Sequence, residues 1–176
     1  MSPLDLLKLD AAYGYGELMK ALEGVSEAQA WAQLPNLGPD YLHSGGSIYS
    51  MALHVAGGKW MHGSVAFRGG EIRWRECAAQ MDAFEPSWSA ALDYLARAHE
   101  YWMASWAEIE DVEAMHPTNW QVGDCPALKI IQTVNQHDSY HAGQIAVLRY
   151  ACPEADVPPP AEADDIRKYC RDSKWW

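Results

Sequence analysis

His137 and His141 stand four residues apart in HDSYH, inside the run CPALKIIQTVNQHDSYHAGQIAVLRYACP. The apolar seam Ala127, Ile130, Val134, Leu148 passes through both histidines at steps of three and four. A third histidine, His54, lies on the seam Met51, His54, Gly58, Met61, Val65 of a separate segment, SIYSMALHVAGGKWMHGSVAFR. Each one alone reads most simply as a core imidazole with a single hydrogen bond. Together they suggest more. Histidines at i and i+4 differ by about 40° around a helix and point into one volume. An imidazole from a facing helix completes a face of three nitrogens and leaves at least one coordination position open. Three neutral nitrogen donors suit a divalent transition metal such as zinc or nickel, and suit calcium or magnesium poorly. Such a centre can activate a water for hydrolysis. It can also take a thiolate directly, for transfer of a low-molecular-weight thiol to an electrophilic small molecule. The residues leave both chemistries open, beside a third reading, a metal-binding stress-response protein without turnover.

Several neighbours of this constellation have candidate roles. Gly58 lies one turn beyond His54 on the same stripe, and a mid-helix glycine costs about 1 kcal/mol relative to alanine. The Gly57-Gly58 pair therefore provides either room for a ligand or close helix packing. Gln144, one turn after His141, and Asp138, beside His137, are candidates for hydrogen bonds behind the metal ligands. Asp138 does not point with the histidines, and Arg149, close to three turns along, is its expected partner. His99 falls near the seam of a third helix, and a seam through Ala98 turns it aside, so it is expected to be a supporting residue and not a ligand. His62 is rotated roughly 80° from His54 and belongs at a boundary. His43 and His116 fall in loops and are expected to be solvated. Cys125 and Cys152 flank the histidine helix near its ends, roughly two or more turns from the imidazoles, so a cysteine–histidine nucleophile pair ranks below the metal reading. No glycine pair is followed by the lysine of a phosphate loop.

Four long helical patterns must position these residues. The first spans Pro3 to Glu23, with Leu4, Leu7, Ala11, Leu18 and Leu22 on one side and Gly24 as its stop. A connection punctuated by Pro35, Gly38, Pro39, Gly45 and Gly46 follows. Ser47 caps the second helix, which runs to Arg68 before Gly69-Gly70. The third follows Pro86 and Ser87 and carries Trp88, Leu92, Leu95, Trp102, Trp106 and Ile109. Asp124 and Pro126 open the fourth, which closes near Cys152-Pro153. No strand-like alternation competes, so the fold class is all-α, a four-helix bundle over residues 1–152. Residues 153–176 form a proline-containing linker and a short tail helix ending in Trp175 and Trp176. The connections are longer than an up-down-up-down bundle requires, so one of them can cross the bundle's length.

The bulk properties bound the partners. A formal charge of −11 and a pI near 4.9 oppose nucleic-acid backbones and anionic membranes. No apolar run reaches the roughly 18 residues of a membrane span. Four cysteines without CxxC spacing, and a start without a basic-then-apolar segment, lead to an expectation of free thiols in the cytoplasm. Nine Trp and nine Tyr against two Phe supply large rings with polar tips, suited mainly to an ordinary core.

The segments HDSYHAGQIAVLR and GGSIYSMALHVAGG carry a resemblance. The first resembles the last-helix signature of the DinB-like family, which includes the damage-inducible DinB and YfiT-like proteins. The second resembles that family's second-helix element, where a serine-led helix start precedes the first histidine ligand. The likeness covers most of residues 1–151, and these two segments are its distinctive parts. It implies an up-down-down-up four-helix bundle, a metal held by His54, His137 and His141, and a homodimer. It also implies an activity among thiol-dependent S-transferases, a thiol-dependent isomerase or proposed hydrolases. The residues after Pro153 lie outside the shared pattern.

Overall fold

The computed structural model describes residues 1–32, 46–120, 123–151, 167, 170 and 171. His43, Cys152, the VPPP linker and Trp175-Trp176 lie outside these residues. Among the described residues six helices dominate: α1 (Pro3–Leu22), α2 (Glu27–Trp31), α3 (Ile48–Phe67), α4 (Trp74–Asp82), α5 (Trp88–Trp106) and α6 (Ala127–Ala151). A two-stranded antiparallel ladder, β1 (Met115–His116) with β2 (Cys125–Pro126), precedes α6. It departs from the strand-free expectation because two residues are too few to show alternation. None of these helices is long and apolar enough to cross a membrane.

Serines start four of the helices. The hydroxyls of Ser2, Ser26, Ser47 and Ser87 each accept the backbone N–H three residues on, satisfying a donor that has no partner within the helix. Pro3 occupies the first turn of α1, where its missing N–H costs nothing. Gly24, at φ 70°, takes the left-handed conformation that ends α1. α2 and α4 fall in stretches where sequence periodicity had too few turns to show.

α3 is the central element. Sixteen of its twenty residues are buried, so it has no polar face. It packs against α5, α6, α4 and α2, while α1 packs along α6. Specific contacts fix the helix pairs. Asn135 donates to the Leu7 carbonyl and Arg149 to the Ala21 carbonyl, so α6 meets α1 near both ends. At Gly14 the two backbones come so close that a Cβ would lie 2.7 Å from the Asn135 oxygen. Trp60 meets Tyr101, a Cβ at Gly63 would strike Ser105, and the Arg68 guanidinium donates to the Ala104 carbonyl. Trp88 donates to the Val25 carbonyl, and His99 stacks on Tyr15.

The apolar interior falls into two clusters. One gathers Leu18, Tyr49, Leu53, Met81, Leu95 and Ile145, and the other gathers Leu7, Ala66, Trp102, Trp106, Ile130 and Val134. Between the two on α6 come His137, Asp138 and His141, and Lys59 is buried on α3. Cys170 of the tail is buried in the first cluster, while Arg167 and Arg171 pair with Asp82 at the end of α4. Cys77, Cys125 and Cys170 are buried free thiols, and burial pushes Cys170 up to about 12.

Candidate metal centre

α6 carries His137 and His141 on successive turns, and α3 presents His54 to them. The Nε2 atoms of His141 and His137 are 2.9 Å apart, and those of His54 and His137 are 3.3 Å apart. One nitrogen from each ring lies within 4.8 Å of the others, and the three residues form a group able to hold a metal ion. His54 and His141 are buried and His137 is half-buried. The Trp74 ring of α4 lies nearly parallel to the His54 ring, 12° apart at 6.0 Å between centroids. The Tyr140 ring meets the edge of His141.

The donor set fits a transition metal. Metal–nitrogen bonds of about 2.0–2.1 Å at a tetrahedral angle put ligand nitrogens about 3.3 Å apart, close to the two separations found here. Proton accounting leads the same way. A neutral imidazole nitrogen offers either one N–H or one lone pair, so His137 Nε2 cannot satisfy both neighbours with hydrogen bonds. A shared cation resolves the conflict. Burial holds the His137 imidazole well below its ordinary value, and His141, His54, His62 and Lys59 push it the same way. His137 therefore stays neutral, the form in which a metal is bound.

The supporting residues divide. Nothing lies within 4 Å of a Cβ built on Gly58, whereas a Cβ on Gly57 would come within 2.9 Å of the Trp74 ring and 3.3 Å of Met81. Room and close packing, the two readings of the glycine pair, thus apply to one glycine each. Gln144 donates to the Tyr140 hydroxyl at 2.9 Å, with no hydrogen bond to the three histidines among the described residues. His99 stacks face to face on Tyr15, with centroids 3.6 Å apart, and does not join the ligand group. Burial, reinforced by Lys59, pushes His99 down to about 3. His62 sets its edge against Trp120, and burial pushes it down to about 3.

Two sequence expectations are corrected. Asp138 does not pair with Arg149: its carboxylate accepts from the Lys59 ammonium at 2.7 Å, with both side chains 1% exposed. Eleven residues span about 16 Å of helix, more than the two side chains can bridge, and Asp138 faces inward. His116 is not a solvated loop residue, because its Nδ1 lies 3.0 Å from the Ala66 carbonyl at the end of α3. Lys59 went unread in the sequence. Its signal was there: it is the one Lys, Arg, Asp or Glu between Ile48 and Phe67. Burial pushes Lys59 down and Asp138 up, and their mutual attraction opposes both shifts.

Comparison of the chain with protein-family models, curated proteins and solved structures finds no match.

Proposed function

We propose that the chain is a DinB-like, metal-dependent enzyme that transfers a low-molecular-weight thiol to an electrophilic small molecule. The observation that carries this reading is the convergence of His54, His137 and His141 at nitrogen separations of 2.9 and 3.3 Å. A divalent transition metal, zinc or nickel, held by these imidazoles would supply a Lewis-acid position that keeps a thiol ionised at neutral pH. The three histidines bind, the Trp74 ring backs His54, and the open space at Gly58 leaves room beside the ligands. The thiolate sulfur forms a bond to the electrophilic carbon, and the leaving group departs with its electron pair. The resemblance of HDSYHAGQIAVLR to the family's last helix favours transfer over hydrolysis. Asp138, the carboxylate nearest the ligands in sequence, is engaged by Lys59 and so is not poised as a general base for water.

The same reading includes an up-down-down-up bundle. Leu7–Asn135 and Ala21–Arg149 support α1 parallel to α6. Trp60–Tyr101 and Arg68–Ala104 support α3 parallel to α5, and Tyr15–His99 with Val25–Trp88 supports α1 antiparallel to α5. It also includes a cytoplasmic homodimer, for which Leu6, Leu9, Tyr13, Val147 and Tyr150 on α1 and α6 supply exposed apolar surface.

The test is elemental analysis of tag-free protein, followed by thiol-conjugation assays on the metal-loaded chain with an aromatic electrophile. About one zinc or nickel per chain and metal-dependent conjugation are expected. Neither metal content nor uptake on titration would remove the site. Metal without conjugation, but with ester or amide cleavage, would favour the hydrolase.

A further inference from the structure

We propose that Lys59 and Asp138 are positioning residues that set the register of α3 against α6, and with it the geometry of the three-histidine group. This inference rests on the metal reading above. The group draws its nitrogens from only two helices. His137 and His141 are fixed to each other by one turn of α6, so the remaining freedom is how α3 slides and rotates against α6. That freedom matters, because metal–nitrogen distances tolerate only about 0.2 Å, while one residue of slip moves His54 by about 1.5 Å along the axis.

Hydrophobic patterning does little to remove this freedom. α3 is buried on nearly every side, so rotation about its axis exchanges one apolar face for another. Around His54 its residues are mostly small: Ala52, Ala56, Gly57 and Gly58. Such a surface offers few ridges for a neighbouring helix to engage. Beside the histidines, a charged and strongly directional link joins α3 to α6: Lys59 Nζ donates to Asp138 Oδ2 at 2.7 Å. Lys59 is five residues beyond His54, and Asp138 directly follows His137.

The pair is also expensive to keep. Both side chains are 1% exposed, Asp138 Oδ1 has no partner among the described residues, and an apolar pair of similar volume would often fold as well. Specification of helix register is the best-attested reason for retaining such a group. Its surroundings suit that role, since Lys59 also lies 5.6 Å from the Tyr15 ring of α1, which is stacked on His99 of α5. Each of the four long helices thus contributes one side chain to this set of contacts.

Cobalt(II) titration of the full chain, read by its visible absorption spectrum, tests the proposal. The wild-type titration tests the metal reading alone: no binding there removes the site itself. Two paired variants then test positioning. Lys59→Gln with Asp138→Asn keeps a hydrogen-bonded link without charge, and Lys59→Met with Asp138→Leu removes the link. The amide pair should retain the wild-type spectrum and an affinity within about threefold of wild type. The apolar pair should fold without metal, bind cobalt at least about tenfold more weakly (1.4 kcal/mol is tenfold), and show an altered spectrum. An apolar-pair chain that fails to fold while the amide pair folds would overturn the proposal by assigning the pair to folding and not to positioning. Wild-type affinity and spectrum in the apolar pair would overturn the proposal. Equal loss in both variants would overturn it too, by assigning the effect to charge.

Discussion

Gly57 and Gly58 are adjacent on one helix, yet replacing each with alanine should move stability in opposite directions. Alanine is favoured over glycine in a helix interior by about 0.8–1.0 kcal/mol. At Gly58 a new Cβ meets nothing within 4 Å, so that preference should appear in full. For a chain of 176 residues, a gain of about 1 kcal/mol raises the melting temperature by about 2–4 °C. At Gly57 the same preference is opposed. The Cβ would lie 2.9 Å from the Trp74 ring and 3.3 Å from the Met81 methyl, and Trp74 is only 5% exposed, so its ring has nowhere to swing. Overpacking of this kind costs about 1–3 kcal/mol, leaving Gly57→Ala between neutral and about 2 kcal/mol destabilised. Because Trp74 lies parallel to His54, Gly57→Ala should also weaken metal binding, whereas Gly58→Ala should leave it unchanged. Thermal unfolding of the two metal-free variants, with cobalt titration of each, measures both effects. A Gly58→Ala chain that melts below wild type would refute the reasoning, because the space would then be filled.

Further outcomes are expected. His54→Ala, His137→Ala and His141→Ala should each weaken metal binding by more than the roughly 10–100-fold typical of losing an outer hydrogen-bond partner. Chelator should lower the wild-type melting temperature and leave those three variants unmoved, since metal bound only to the folded chain stabilises it by mass action. His99→Ala should bind metal nearly as wild type, and binding lost there but kept in His54→Ala would move the site to α5 and α6. His62 is held down to about 3 by burial, below its unfolded value of about 6.5. The unfolded chain therefore takes up its proton first, and stability falls as pH drops from about 6.5 toward about 3. Melting curves of His62→Gln across that range should show a shallower fall, and a slope equal to wild type would contradict the assignment. Light scattering should give a dimer, which Tyr13→Glu with Val147→Glu should weaken, because both side chains are more than 60% exposed on α1 and α6. A monomeric wild type at tens of micromolar would remove that part of the proposal.

What the sequence determined by itself is local. Helix starts were legible because a serine hydroxyl three residues ahead of an orphan N–H is a short-range device, as at Ser47 and Ser87. The three histidines were legible because helical spacing places i and i+4 on one face whatever surrounds the helix. Other features depended on what stands opposite. Gly57 and Gly58 look alike in the chain, and only the position of Trp74 decides that one is packed and the other open. Arg149 shares a helix face with Asp138 in the sequence pattern but lies out of its reach, and the partner of Asp138 is Lys59, seventy-nine residues away in the chain. α3 was the hardest element to orient, because a helix buried all round carries no polar stripe to mark its inward face. Its rotation, and so the approach of His54 to His137, is decided in three dimensions by the directional contacts it makes with α6 and α4.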